Sequence, residues 1–201
     1  PNYISTGIAR GTDTCGGSPN EHAVKDLSKW SVLNYYNVWV VNKICGGWAG
    51  YAYYPWGGAY DGAVMKYNYM TYNSTTLTHE IGHGWNIMHT FQGDGGNAYC
   101  PADTNCSTNG DKICDTPPHK QGDCGSTIPC SGTGNWDNSR YNYMSYCFPS
   151  NANARFTPNQ KTRMTAAMLT YPRANLLNSL GGTAGEFGAS VSKTDIGCSG
   201  S

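Results

Sequence analysis

His79, Glu80, His83 and His89 fall within the eleven positions of "HEIGHGWNIMH", residues 79–89 of a chain of 201 residues that has only five histidines. On an α-helix, positions i and i+4 share one face. His79 and His83 can therefore aim both Nε2 atoms at one point, while Glu80 is turned about 100° away and lies beside it. Neutral imidazoles on one ion, an open position for water and a carboxylate to take the water's proton are the requirements of a hydrolytic zinc site. His89, six residues past His83, cannot share that face in register. The helix must end and the chain must turn back to deliver a third ligand. A sharp turn after a helix needs a residue with positive φ, for which Gly is the default and Asn the best substitute, so Asn86 is the predicted left-handed cap. The competing reading is ordinary histidines on an amphipathic helix. A chance match to this spacing is on the order of 1 in 10,000 per chain, so the metal reading is preferred.

The rest of the chain must position these groups. Its length suits one domain with a real core. Net charge is zero and 13% of residues are charged, so the basic stripe of a nucleic-acid binder is absent. The longest aliphatic runs, Val38–Val41 and Ala166–Leu169, are too short to span a membrane. The chain starts at Pro1 rather than Met and reads as a processed piece. Nine cysteines, 26 glycines and 15 tyrosines imply a secreted, disulfide-stapled protein. A thiolate metal site would need C-x2-C pairs, which do not occur. The odd count leaves one cysteine unpaired within the chain.

Ser18-Pro19-Asn20-Glu21 has the form of a capping box and predicts a short helix over 19–28, with Ala23, Leu27 and Trp30 at helical spacing. "NYYNVWVVN" (34–42) is apolar at consecutive positions and reads as a strand buried on both faces. Residues 46–58 read as strand or bulge, and 62–70 as a second strand along whose edge an extended peptide could pair. The central helix is predicted over 73–87, capped by Asn73 or Ser74. From 92 to 155 periodicity fades and six cysteines imply an irregular segment held by disulfides. Those six allow 15 pairings, and Cys100–Cys106, Cys124–Cys130 and Cys114–Cys147 are preferred. Thr157-Pro158-Asn159-Gln160 is a second capping box, opening a helix with Met164, Ala167 and Met168 on one face and an end near Pro172. His22 and His119 read as exposed loop histidines, and residues 181–201 as a loose tail.

"HEIGHGWNIMH" resembles the extended zinc motif of the metzincin metallopeptidases, in which Gly commonly stands where Asn86 is here. "YYNVWVVN", "GYAYYP", "TLTHEIGH", "HTFQGD", "GDKICDTPP", "YNYMSY" and "FTPNQKTRM" occur in the order and approximate spacing of the pappalysin family, particularly its cytophagalysin-like bacterial branch. In that branch Asn at the motif Gly is an accepted variant. The resemblance covers residues 30–170. It implies an α+β zincin fold of metzincin type: a twisted sheet with the active-site helix, then an irregular, disulfide-rich C-terminal subdomain. The expected organisation is one catalytic domain over 1–201, with an upper subdomain (1–88) and a lower one (89–201) carrying a Met-turn and the C-terminal helix.

Residue by residue, His79, His83 and His89 match the family's zinc ligands and Glu80 its general base. Met144 matches the apolar Met-turn under the histidines. Tyr146 matches a tyrosine that ligates the ion or donates its O–H to the developing oxyanion. Asp111 and Thr116 in "NGDKICDTPPH" resemble the oxygen ligands of a calcium site in some relatives, against a plain turn-rich loop. Some relatives carry an acid five residues past the Met-turn Met that selects Lys or Arg. Here that position is Pro149, so this specificity is not carried over.

The resulting expectation is a secreted, monomeric zinc endopeptidase made as a zymogen. It binds an extended polypeptide in its cleft and hydrolyses it with a metal-activated water, Glu80 acting as general base; nucleic acid and membrane are not expected partners. Two rivals are a secreted aromatic-rich binding module with a structural zinc and a zinc hydrolase of non-peptide amides. Glu80 speaks against the first, because a structural site has no use for a base beside the ion. The family's catalytic domain normally opens with a strand and a backing helix before the point that "PNYISTGIARG" resembles. Without them, one sheet edge and one side of "NVWVV" would be uncovered. Either residues 1–30 substitute or, as preferred here, a docked N-terminal fragment of the same precursor does; unless Cys15 and Cys45 bond each other, one of them is its handle and the other bonds Cys198.

Overall fold

The computed structural model describes residues 19–56, 58–102, 104–130, 133–147 and 153–178. Ser18, Cys15, Cys198, Pro149, the opening "PNYISTGIARG" and the tail lie outside the described residues. Three strands, β1 (Asn37–Val41), β2 (Gly50–Ala52) and β3 (Gly62–Lys66), form one sheet in the order β1-β3-β2. β3 runs parallel to β1, with Trp39 opposite Val64, and antiparallel to β2, with Tyr51 opposite Val64. The spine β3 is apolar at successive positions because both its faces are covered: Ala63, Val64 and Met65 are fully buried. On one face Val64 joins Trp39, Val41, Ile44 and Val24 of helix α1 (Pro19–Asp26) in the core. The opposite face supports helix α2 (Thr76–Gly84), which packs against β2 and β3. Helix α3 (Asp137–Arg140) and helix α4 (Pro158–Met168) follow in the second half of the chain.

Several expectations about these elements are corrected. The 34–42 segment is not buried on both faces: β1 alternates, and Val38 and Val40 are 39% and 49% exposed. They share a face with Ala63 and Met65, where α2 covers β2 and β3 but not β1. The strand at 62–70 stops at Lys66 and gives way to a 3-10 turn at Tyr67–Tyr69. It is also the central strand, so the edge beside the cleft belongs to β2. Pairing Tyr53 N–H with the Gly62 carbonyl (3.0 Å) and Lys66 N–H with that of Ala49 (2.9 Å) gives the odd-numbered residues of β2 to β3. Alternation then points the N–H and C=O of Gly50 and Ala52 towards the open edge.

Helix α1 forms where the capping box predicts, but on another face. Ala23 and Trp30 are exposed, while Glu21, Val24 and Lys25 are buried. Lys25 Nζ lies 2.5 Å from Glu21 Oε1 and donates to the Tyr60 carbonyl at 2.8 Å. The Tyr53 hydroxyl donates to Glu21 Oε2 at 2.8 Å, and Lys25 stands over the rings of Tyr53 and Trp39. A charge pair closed on itself replaces the apolar stripe. His22 is not a free loop histidine either: it stacks on Tyr60 with ring centroids 3.8 Å apart.

The irregular second half is held by disulfides, as its composition implies, but through other pairs. The bonds are Cys100–Cys130, Cys106–Cys114 and Cys124–Cys147. Cys106–Cys114 joins neighbouring cysteines eight residues apart, whereas the chain doubles back to bring Cys100 to Cys130 and Cys124 to Cys147, at Cα separations of 5.8 and 5.4 Å. Cys45 is also disulfide-bonded. Helix α4 carries the predicted box: the Thr157 side chain accepts from Gln160 N–H, and the Gln160 side chain accepts from Thr157 N–H at 2.9 Å. Ala167 is its buried apolar residue.

Candidate active site

Helix α2 starts at Thr76, with the Ser74 hydroxyl accepting the Thr76 N–H at 3.3 Å, and ends at Gly84. It is shorter than the predicted 73–87 because Asn86 takes φ = 70° and reverses the chain. Asn86 N–H donates to the His83 carbonyl (2.9 Å) and Ile87 N–H to that of Gly82 (3.0 Å), the paired bonds of a Schellman cap. The turn does two things at once. It sends His89 back towards the helix, and it aims the Ile87 carbonyl at His83 Nδ1, 2.8 Å away.

The three imidazoles meet. His79 Nε2 and His83 Nε2 lie 3.2 and 3.1 Å from His89 Nε2. Because carbonyls only accept, His83 must donate its Nδ1–H to Ile87, and His79 its Nδ1–H to Tyr143 at 2.6 Å. Both Nε2 atoms therefore present lone pairs to the shared point. Burial holds all three rings neutral: His79 is lowered, and His83 and His89 fall to about 4 and about 2, their neighbours adding repulsion. Such a cluster fits a cation at its centre. Tetrahedral ligands about 2.0–2.1 Å from zinc stand about 3.3–3.4 Å apart, close to the spacing found here. The backbone carbonyls on Nδ1 are the outer partners that fix ligand orientation. The three histidines can hold one metal ion.

Glu80 is buried beside them, and burial alone pushes its carboxyl up to about 8. Its side chain lies along β2, where an ideal Cβ on Gly50 would stand 3.0 Å from Glu80 Cγ and 2.8 Å from Met65 Sδ. Gly50 thus leaves the space the carboxylate occupies. Gly82 and Gly84 have similar reasons: a Cβ there would collide with Met144 Sδ and the Tyr36 hydroxyl. Met144 is fully buried beneath the helix. The Tyr146 ring sits 4.9 Å from His89 and 5.6 Å from His79. Burial raises its hydroxyl, and the charge of Glu80 raises it further.

Several residues around this site gain their roles only from contacts with distant segments. Asn142 receives Met144 N–H on Oδ1 and exchanges two hydrogen bonds with the side-chain amide of Gln160, so the cap of α4 also holds the backbone at Met144. The Met144 carbonyl accepts from Thr90 N–H next to His89. Phe91 stacks on His89 with ring centroids 4.7 Å apart. His119, expected exposed, is fully buried: Nε2 lies 2.7 Å from Thr90 Oγ1 and Nδ1 2.9 Å from the Lys120 carbonyl. A lone loop histidine gives no sign of this, because the partner is 29 positions away. Arg173 grips the Asp61 carboxylate with both terminal nitrogens (2.5 and 2.9 Å) and caps α2 through the Gly84 carbonyl (2.8 Å). Asp111 and Thr116 do meet, away from the cleft. The Thr116 hydroxyl is 2.7 Å from Asp111 Oδ2, and burial raises that carboxyl to about 7.

The cleft over Glu80 and the histidines holds about 840 Å³ and is walled by β2, the start of α2 and the segment 143–146. A histidine triad able to hold a metal ion beside a buried carboxylate, on an α+β scaffold, is the arrangement found in metallopeptidases of metzincin type. The chain belongs to the pappalysin family: the model described as "Pregnancy-associated plasma protein-A" (peptidase M43) matches residues 19–169. An extracellular metalloprotease of Sordaria macrospora is 31% identical over 175 residues, covering 78% of this chain and 55% of the relative. Extracellular metalloprotease 1 of Coccidioides posadasii is 33% identical over 167 residues, covering 73% and 54%. The chain thus spans about half the length of the curated relatives it matches. Among solved structures, mature mirolysin of Tannerella forsythia with a cleaved peptide aligns with TM-score 0.56 at 26% identity, over 79% of this chain and 64% of that one. A promirolysin variant aligns with TM-score 0.54 at 25% identity, over 83% and 58%.

Proposed function

We propose that this chain is the catalytic part of a secreted zinc endopeptidase, with His79, His83 and His89 as zinc ligands and Glu80 as general base. The observation that carries this reading is the convergence of three neutral imidazoles on one point beside a buried carboxylate that has no charge partner among the described residues. A bound zinc ion supplies Lewis acidity, polarising the scissile carbonyl and acidifying a water. Glu80 takes the proton from the attacking water on its carboxylate and passes it to the leaving amine. Its burial makes the carboxylate a strong base. Tyr146 donates its O–H to the oxyanion, and Met144 is the apolar floor that keeps the histidines in place.

The substrate polypeptide lies extended in the cleft, pairing with the open N–H and C=O groups of Gly50 and Ala52. The cleaved peptide bound to mirolysin supports a polypeptide ligand for this chain, and the promirolysin structure supports a propeptide. The cleft then divides an upper subdomain (1–88) from a lower one (89–201), in a molecule that acts as a monomer. We further infer that Asp111 and Thr116 contribute oxygen ligands to a calcium ion. A carboxylate 5% exposed and raised to about 7 gains from a hard cation. Calcium should then raise Tm in the wild type but not in Asp111→Asn.

Cleavage of casein that is abolished by a chelator and restored by zinc tests the main reading. A binding module or a hydrolase of non-peptide amides would leave casein intact. The extracellular metalloprotease relatives favour the peptidase.

A further inference from the structure

The wall of the cleft is aromatic and almost free of charge. Among the described residues, Glu80 is the one acid that lines it, and no Lys or Arg does. Trp48 and Tyr69 line it while remaining 53% and 39% exposed, so a large aromatic surface stands open beside the catalytic carboxylate. Trp48 is also held in place. It follows Gly46 and Gly47, both at positive φ, and the indole folds back over Gly46, whose ideal Cβ would lie 3.2 Å from Trp48 Nε1. Its other support is the edge of Tyr51, with ring centroids 6.3 Å apart at 70°. Tyr51 in turn packs against the core. A preset, half-exposed indole next to a cleft favours whatever covers it with apolar area.

The charge pattern decides what that is. A Lys or Arg side chain entering this wall would lose hydration with no carboxylate to meet it except Glu80, which is engaged with water. An Asp or Glu would meet Glu80 as a like charge. We propose that the cleft selects peptide bonds flanked by a bulky uncharged side chain, aromatic or long aliphatic, and that Trp48 and Tyr69 are the side chains that read it. This rests on the peptidase reading above and adds the substrate class to it.

Mass-spectrometric profiling of cleavage sites in a mixed peptide library, using the zinc-loaded chain, tests the proposal. Phe, Tyr, Trp, Leu and Met should be enriched beside the cut. Trp48→Ala should lower kcat/KM for Phe-flanked peptides about tenfold relative to Ala-flanked ones, mostly through KM, while Trp48→Phe keeps the preference. Tyr69→Ala should shift the profile in the same direction. Zinc content measured on each variant separates misfolding from lost recognition. Cleavage without side-chain preference, or a preference for Lys or Arg through cation–π contact, overturns the inference and leaves the peptidase reading standing. An unchanged profile in both alanine variants overturns the assignment to Trp48 and Tyr69. No chelator-sensitive cleavage at all removes the peptidase reading and this inference with it.

Discussion

Two buried polar clusters lie on opposite faces of the same sheet, each built on an i, i+4 pair of one helix. On α1, Glu21 and Lys25 are fully buried, yet every part of the pair is answered: charge by charge, ammonium by carbonyl and aromatic rings, carboxylate by a tyrosine hydroxyl. On α2, His79 and His83 turn lone pairs towards a third imidazole, and only burial acts on Glu80. Burial of charge is therefore no mark of function in this protein. The mark is burial without compensation, because such a group gains by binding something from outside. The first cluster is complete and rigid. The second, on the reading proposed above, is completed by a metal ion and a water.

The comparison breaks most sharply at Glu80. Glu80→Gln should lower turnover by about 10²–10⁴-fold while zinc content stays at that of the wild type. His89→Ala should instead lose the metal, read by elemental analysis after dialysis. Near-normal cleavage by the Gln variant would show that the uncompensated carboxylate is not the base. On the other face, Lys25→Met should cost about 3–5 kcal/mol in denaturant unfolding, because it leaves Glu21 buried and unpaired. Glu21→Leu with Lys25→Met should recover most of that loss. If the single variant is as stable as the wild type, the α1 pair is not closed as described.

Smaller effects sharpen the contrast. Gly50→Ala places a methyl group against Glu80 and Met65, an overpacking of about 1–3 kcal/mol, and should lower kcat more than it lowers zinc affinity. Asn86→Val forces a β-branched residue to positive φ, at a cost of about 1–3 kcal/mol, and should weaken zinc binding by disturbing both His83 and His89. Asn86→Gly should change stability least, by less than about 1 kcal/mol, because glycine adopts that conformation freely. Zinc titration of the two variants decides whether the turn positions the site.

Local signals were legible wherever a short stretch sets its own geometry. The histidine spacing, Asn86 as a left-handed cap and the Thr157–Gln160 box all depend on contacts within a few residues, and all three are found. The apolar face of α1 was misread because Lys25 and Glu21 look like a solvated pair until Trp39, Tyr51 and Tyr53 are brought over them from other elements. β1 was misread for the reverse reason: consecutive apolar residues do not show how far a covering helix will reach.

What the sequence by itself determined is the chemistry: which imidazoles can share a point, which carboxylate stands beside it, and which residue must reverse the chain between them. Those are consequences of helical periodicity and of one residue's φ preference. The tertiary structure alone decided the Cys100–Cys130 and Cys124–Cys147 bonds, the strand that presents its edge beside the cleft and the burial of His119 against Thr90. Each of these is a meeting of segments far apart in the chain. Residue types constrain such meetings only weakly, whereas packing of the whole chain admits one arrangement.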